Sequence, residues 1–463
     1  MFRIFSQYVS RKAFLHFVAD AVLGCLALAL AAKLRALDSP EVYATLTEWP
    51  DFGYRVAAVV GSFLVCSYYN DLYTQDTITS FGEQFFRMVQ ALGVACFGLA
   101  AVYYAVPDLR LGRGAFGLGI LLILVFSSSF RWVTDRFWHG AVTRMNVAIV
   151  GVQSLAQTTA SEIGHRADLN MRVVGFVGVG SPGEAALGPD VLGGADKLEQ
   201  IVQTYAVEKL IVALEENEPS PTPYLLRART RGVVIEDARA MLAALTGRVA
   251  IETVPSSWFI FSEGFRRSRY ALAFKRLLDL ALGLIGLAIS LPIMAIVGLC
   301  VRLDSAGPIL FRQRRVGYEG QCFELMKFRT MRVDAEADGV ARWAEKNDPR
   351  VTRIGGFLRK YRFDELPQFV NVIRGDMSLV GPRPERPEFV ERLRAEIPFY
   401  DERHTLRPGI TGWAQICYPY GATVEDALRK LEYDLFYLKN VSILFDMAIV
   451  LQTVKIILWG RGQ

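Results

Sequence analysis

Three long, nearly charge-free stretches constrain this chain first: Ala13 to Ala32, broken only by Asp20, then Met88 to Pro107, and Gly114 to Phe130. A helix needs roughly 20 predominantly apolar residues to cross the hydrocarbon core, and each stretch meets or approaches that length. Val56 to Tyr69 is shorter, but Tyr68, Tyr69 and Tyr73 suit the headgroup-level aromatic belt, so four transmembrane helices are predicted over residues 1–140. The hydrophobic fraction of 52% agrees. Arg3, Arg11 and Lys12 precede the first helix, whereas Asp38, Glu41, Glu48 and Asp51 fill the next loop, which sets the N-terminus in the cytoplasm. An even number of crossings returns the chain there near Arg131, Arg136 and Arg144. No small-residue processing site follows the first apolar run, so a cleavable signal peptide is not expected. The six cysteines show no metal-binding spacing and read as reduced and structural.

The texture changes at "MNVAIVGVQSLAQTTASEIG". A buried-strand run, Val147 to Val150, is followed by a turn and a helical pattern. The strand Arg172 to Val177 and the runs "EKLIVAL" and "RGVVIED" continue the alternation, which predicts a Rossmann-like α/β domain over 145–250. Its dinucleotide fingerprint is degenerate: Gly151 is in place, but Gln153 and Ala156 stand where the second and third glycines would admit a pyrophosphate and a close helix. A nucleotide, a structural, a regulatory and a dimerising role all stay open. Tyr205 and Lys209 have the Tyr-x-x-x-Lys spacing of dehydrogenases and of nucleotide-sugar dehydratases, with no serine partner in evidence. That spacing supplies one competing function, a membrane-tethered nucleotide-sugar dehydratase.

A basic linker over 251–274 carries Arg266, Arg267 and Arg269. It leads into an apolar run, 277–301, whose only charge is Asp279. Basic residues flank this run on both sides, and Pro292 lies inside it, where proline removes a helical donor and favours a bend. A re-entrant hairpin that dips into one leaflet and returns satisfies both facts, with Ser290 as a local hydrogen-bonding group at the break. A crossing kinked at Pro292 is the other reading.

Beyond Arg302 the chain is dense in Arg, Gly and Pro: "SAGPILFRQRRVGYEG", "NDPRVTRIGGFLRKYR", "GPRPERPEF" and "LRPGITGWAQ". The arginines come singly inside rigid turns and not in a stripe with interleaved aromatics, which argues against nucleic acid. Placed guanidiniums suit phosphate, which they grip bidentately. Within "RFDELPQFVNVIRGDMSLVGPRP" two acids, Asp364 and Glu365, stand side by side. The simplest reading makes Asp364 the cap of a helix opened by Pro367 and closed by Gly375. Asp376, just after that helix, reads equally as a metal-positioning or a turn aspartate.

The ordered set "KRLLDL", "GPILFRQRRVG", "KFRTM", "DELPQ", "NVIRGDMSLVGPRP" and "RPGITGWAQ" resembles the bacterial sugar transferase family, the polyprenyl-phosphate glycosylphosphotransferases, over residues 270–463. The upstream helices and degenerate Rossmann-like domain are similar to its large, exopolysaccharide- or O-antigen-initiating subgroup. The resemblance implies a mixed membrane fold: N-terminal transmembrane helices, a central α/β domain, and a mainly helical catalytic domain, 275–463, facing the cytoplasm from the inner membrane. It implies transfer of a hexose-1-phosphate, glucose or galactose, from a UDP-sugar to undecaprenyl phosphate with release of UMP. In that reading Asp364 attacks the phosphate nearest the sugar, and Glu365 helps it hold Mg²⁺. Arg383 is the best phosphate clamp by family position, and Arg359 and Lys327 are further candidates. Leu291 separates Ser290 from Pro292, whereas relatives place a Ser-Pro pair side by side. The final segment, Leu444 to Trp459, reads as an interfacial amphipathic helix or as packing against the domain. The α/β domain could support a homodimer. A non-catalytic scaffold of polysaccharide assembly is the other competing function.

Overall fold

A computed structural model describes residues 2–4, 7–9, 11–38, 51–73, 81–141, 144–166, 169–179, 190–215, 218–253, 262, 264–265, 268–335, 348–418, 421 and 423–458. Glu41, Glu48, Arg266, Arg267 and Trp459 lie outside the described residues. A short antiparallel pair, β1 (Phe2–Ile4) with β2 (Gln7–Val9), precedes four long helices. These are α1 (Arg11–Asp38), α2 (Asp51–Tyr69), α3 (Phe81–Ala105) and α4 (Arg113–Ala141). Residues 12–35, 81–105 and 113–137 are long and apolar enough to cross a membrane. The expected second helix is present but weaker, because Asp51 and Arg55 occupy its start. It nevertheless packs Val59, Val60 and Phe63 with Leu28, Met88, Leu92 and Ile123 in one core. Leu26, Phe97, Leu121 and Phe137 point outward, as lipid-facing side chains do.

One end of this bundle is tied by polar contacts. The Arg131 guanidinium pairs with the Asp20 carboxylate, both fully buried, and Tyr73 donates to the same carboxylate at 3.0 Å. Arg131 also donates to the Leu72 carbonyl at 3.2 Å, and Lys12 pairs with Asp135 nearby. The start of α1 and the ends of α2 and α4 therefore share one face.

The α/β domain follows as β3 (Met145–Val150), α5 (Ser154–His165), β4 (Met171–Gly178), β5 (Val191–Gly194), α6 (Leu198–Thr204), β6 (Lys209–Val212), α7 (Thr222–Thr230), β7 (Val234–Asp237) and α8 (Ala238–Thr246). All five strands are parallel, in the order β5-β4-β3-β6-β7. Val147, Ala148, Ile149 and Val150 are buried at the centre, as a strand covered on both faces must be. The dehydratase spacing dissolves here: Tyr205 caps the end of α6 at the surface, whereas Lys209 lies in β6, buried and paired with Glu236.

Next comes α9 (Arg269–Asp304), one unbroken helix with Pro292 inside it. The sharp reversal expected at Pro292 is not what the structure shows. Only one backbone donor is lost there, and the Ser290 hydroxyl bonds the Leu287 carbonyl at 3.1 Å within the same turn. Both ends of α9 nonetheless dock on one globular domain: Asp279 accepts from the Leu379 N–H at 3.0 Å, and Asp304 from the Ile354 N–H at 3.3 Å.

That domain comprises the hairpin β8 (Leu310–Val316) and β9 (Cys322–Phe328), then α10 (Arg353–Lys360), α11 (Gln368–Arg374), β10 (Ser378–Val380), α12 (Pro387–Glu396), β11 (Gly409–Thr411), α13 (Trp413–Cys417), α14 (Val424–Lys439) and α15 (Ile443–Leu458). Strands β10 and β11 pair in parallel. Its core gathers Val380, Tyr400, Trp413, Leu435, Phe436 and Phe445. The Trp413 indole reaches the α/β domain, donating to the Gly247 carbonyl at 2.7 Å. The last helix, α15, packs on the domain through buried Phe445 and Ile449, leaves Leu444 and Leu451 exposed as an interfacial helix would, and meets the end of α2, with Lys455 on Asp71 and the Tyr69 hydroxyl on the Leu451 carbonyl. The catalytic domain thus sits at the same end of the bundle as the start of α1.

Candidate active site

The turn bearing the two acids is built by tight neighbours. Thr352 caps α10, its hydroxyl accepting from the Gly355 N–H at 3.0 Å. A side chain at Gly355 would strike the Thr330 carbonyl, so only glycine lets α10 lie against the end of β9. Arg362 then adopts a left-handed backbone, φ 55°, and opens a short 3₁₀ turn, Phe363–Glu365. Such strain persists where contacts hold it, and here Arg362 donates to Glu365, Gln415 and the Ile410 carbonyl.

The 3₁₀ turn corrects the capping expectation. α11 starts only at Gln368, its N-cap is Pro367, and no side chain caps it. Asp364 is spared that duty because a turn intervenes between it and the helix. Gly375 does close α11 as expected, at φ 98°. Asp376 follows Gly375 in the turn after α11 and accepts from the Asn371 amide at 3.2 Å.

The two neighbouring carboxylates are treated in opposite ways. Glu365 takes Arg362 on Oε2 (2.8 and 3.1 Å) and Arg383 on Oε1 (3.0 Å). The oxygen of the Gln415 amide gathers the same two guanidiniums, at 2.9 Å from Arg383. Asp364, equally buried, accepts no hydrogen bond from the described residues. Burial, and then the charge of Glu365, push its carboxyl up to about 6, with Lys327 and Arg359 pulling the other way. Burial would raise Glu365 too, but the two arginines outweigh it and hold that carboxyl low.

The expected phosphate-binding residues divide. Lys327, on β9, rests over the Phe311 ring, and burial with nearby Arg315 lowers its ammonium to about 8. Its electrostatic partners include Asp364. Arg383 is half-exposed, with both its acceptors at the site, and its guanidinium is held protonated by Glu365. Arg359 donates to the Thr330 hydroxyl at 3.0 Å and fixes α10 to β9. Asp364, Glu365, Lys327, Arg359 and Arg383 therefore come together electrostatically, with Ser290 and Pro292 away in the membrane helix.

Several working residues escaped the sequence. Gln415 and Arg362 lay within the "GWAQ" and "RFDELPQ" runs, yet nothing in their spacing said that they meet. The "KRLLDL" run docks the membrane helix: Arg276 donates to the Val372 and Ile373 carbonyls at the end of α11, Lys275 to the Val380 carbonyl and Asp446, and Asp279 accepts from Leu379. It fixes α9 to the backbone on either side of the turn that leads to Arg383.

Among the described residues no three His, Cys, Asp or Glu side chains gather as a metal site. Asp364 offers an open carboxylate, whereas both Glu365 oxygens already hold guanidiniums. A Mg²⁺ ion held here would have to draw most of its ligands from water and substrate phosphate, and Asp364 is the acid with an open carboxylate to offer it. Glu365 can join only by releasing a guanidinium, and half-exposed Arg383 is the one placed to leave.

The comparisons with known proteins follow the same division of the chain. The profile of the bacterial sugar transferases matches residues 270–460. A "UDP-glucose:undecaprenyl-phosphate glucose-1-phosphate transferase" of Xanthomonas campestris pv. campestris is 30% identical over 372 residues, 77% of each chain. The chain belongs to the bacterial sugar transferase family. A "UDP-N-acetylgalactosamine-undecaprenyl-phosphate N-acetylgalactosaminephosphotransferase" of Aeromonas hydrophila is 40% identical over 240 residues, 52% of this chain and 56% of that protein, so the match spans little more than half of it. An exopolysaccharide production protein of Rhizobium leguminosarum bv. phaseoli is 42% identical over 192 residues, 40% of this chain and 94% of its own length. A CoA-binding domain profile matches residues 69–219, taking in α3, α4 and most of the parallel sheet.

Proposed function

We propose that this family member transfers a sugar-1-phosphate from a UDP-sugar to undecaprenyl phosphate, releasing UMP, through a covalent intermediate on Asp364. The observation that carries this reading is the unshared Asp364 carboxylate beside a glutamate saturated by arginine. An acid meant for structure would take a partner, and two guanidiniums are within its neighbour's reach.

The chemistry balances in two displacements. An Asp364 oxygen attacks the phosphorus nearest the sugar; the new O–P bond forms as the bond to the bridging oxygen breaks, and UMP leaves with that oxygen. An oxygen of undecaprenyl phosphate then attacks the same phosphorus, the Asp364–phosphorus bond breaks, and the carboxylate returns. Splitting the reaction lets each anionic phosphate approach in turn. Arg383 and Lys327 hold the phosphate oxygens and stabilise charge as it develops. Asp364, and Glu365 once it releases a guanidinium, would hold a Mg²⁺ ion, which would supply positive charge that screens carboxylate from phosphate.

The membrane setting supports the lipid substrate. α9 is long and apolar enough to enter a membrane and carries exposed Ile289, Ile296, Leu299 and Leu303, while both its ends dock on the catalytic domain, which supports an active site held close to the lipid surface. The basic residues at the start of α1 support a catalytic domain on the cytoplasmic face of the bacterial inner membrane, where UDP-sugars are found. The names of the relatives favour glucose or N-acetylgalactosamine as the sugar, and exopolysaccharide assembly as the pathway.

The test supplies purified protein with undecaprenyl phosphate and a panel of UDP-sugars. UMP together with a lipid-linked sugar diphosphate is the expected product. Release of UDP, a modified sugar still attached to UDP, or no product across the panel contradicts the proposal.

A further inference from the structure

Arg383 is half-exposed, yet the backbone that carries it is held at four consecutive carbonyls. The Pro382 carbonyl accepts from the Gly409 N–H at 2.9 Å, Arg383 from Arg403 at 3.0 Å, Pro384 from Arg315 at 3.0 Å, and Glu385 from the Val316 N–H at 2.9 Å. Pro382 and Pro384 lock their own φ angles. The donors come from β11, the 3₁₀ turn Tyr400–Thr405, and the last two residues of β8, so the loop is fixed from three directions. Two are main-chain groups that any fold supplies. The other two are guanidiniums, and the one on Arg383 itself is the most costly to place.

Arg403 is buried, and a buried cation is expensive unless it is fully paired. Its partners are the Asp434 carboxylate at 2.8 Å, the Tyr400 hydroxyl at 2.6 Å, and the Arg383 carbonyl, and it lies over the Tyr400 ring at 5.1 Å. Asp434 is also buried and bonds Arg403 alone among the described residues. An ion pair kept for stability is satisfied without the third contact, and replacing such pairs by apolar residues is often neutral. What this pair adds is a rigid donor aimed at the peptide of the residue that clamps phosphate.

We propose that Arg403 is a positioning residue: held by Asp434 and Tyr400, it fixes the peptide of Arg383 and so the angle at which that guanidinium meets the diphosphate. The inference rests on the clamp assigned to Arg383 above. Arg403 touches no substrate; it acts through one carbonyl oxygen. A planar fork is needed because one group must serve an acid, a hydroxyl and a carbonyl in fixed directions, which a lysine ammonium on a flexible stem does not reproduce.

The experiment is a double-mutant cycle on the full-length protein in detergent, with UDP-glucose and UDP-N-acetylgalactosamine each supplied with undecaprenyl phosphate and UMP followed. Arg403→Lys is expected to lower kcat about 10- to 100-fold with KM for the UDP-sugar within about threefold, the signature of a misplaced group and not of lost binding. In the Arg383→Ala background the same change is expected to add less than about twofold, because the group it positions is gone. Tyr400→Phe removes one acceptor of Arg403 and keeps the ring; it is expected to give a smaller loss that likewise vanishes in Arg383→Ala, and it decides the matter if Arg403→Lys does not fold. Losses that multiply in full across the cycle overturn the positioning role while leaving the clamp intact. An Arg383→Ala enzyme as active as the parent overturns both the clamp and this inference.

Discussion

Two buried acid–base groups in this protein are assembled by opposite rules. At the end of the membrane bundle, Asp20 and Arg131 are paired, each about 1% exposed, with Tyr73 on the same Asp20 oxygen and the Leu72 carbonyl on Arg131. At the active site, Glu365 holds two guanidiniums and Asp364 holds none. The bundle spends its charges on joining α1, α4 and the end of α2. The catalytic turn leaves one carboxylate unmatched, with cations near enough to draw a phosphate in. The same residue types therefore act as a lock in one region and as a reactive centre in the other, and the allocation of partners is what separates them.

The largest effect expected from breaking this contrast is at Asp364. Asp364→Asn is expected to lower UMP release by about 10³-fold or more while the protein extracts and melts as the parent does. Turnover within tenfold of the parent contradicts the nucleophile. Glu365→Gln comes next, at about 10²-fold, because it leaves two guanidiniums without their acid beside the reacting phosphate. It also shifts the pH profile in a definite direction. Asp364 is raised to about 6, so in the parent its reactive carboxylate is lost as pH falls below about 6; Lys327 is lowered to about 8, so its positive charge is lost as pH rises above about 8. A bell between these limits is expected for kcat/KM. Removing the Glu365 charge, the second cause of the rise at Asp364, is expected to move the acid limb to lower pH. An acid limb that stays in place speaks against Asp364 as the titrating group.

How far the sequence revealed this contrast differs between the two regions and within each. The spans were legible because the hydropathy of a membrane helix is a property of composition, and the parallel sheet because fully buried strands such as Val147 to Val150 read as continuous apolar runs. The "DELPQ" pair was legible as chemistry. Its wiring was not, since Arg362, Arg383 and Gln415 meet Glu365 only through the fold, and a 3₁₀ turn displaced Asp364 from the cap that its spacing suggested. Asp20 looked like a lone break in an apolar run, and its partner Arg131 lies far along the chain, where it had been read for orientation. Asp279 was likewise legible only as a charge in an apolar run until β10 supplied the Leu379 N–H. Pro292 was over-read, because one missing donor bends or weakens a helix without obliging it to reverse.

The bundle gives the smallest effect on turnover and a clear one on stability. Arg131→Met leaves Asp20 buried without its base, which costs about 3–5 kcal/mol by the usual penalty for halving a buried pair. A lower melting temperature in detergent is expected, with UMP release per folded molecule within about twofold of the parent. An unchanged melting temperature contradicts the view of this pair as a lock.

The central claim is that the unmatched oxygen of Asp364 becomes bonded to phosphorus. Protein mixed with a UDP-sugar that yields UMP, but without undecaprenyl phosphate, can be quenched, digested with trypsin and read by mass spectrometry. The account predicts a sugar-phosphate adduct on the peptide spanning residues 363–374, lost when undecaprenyl phosphate is added. That peptide found unmodified while UMP is still being released would contradict it.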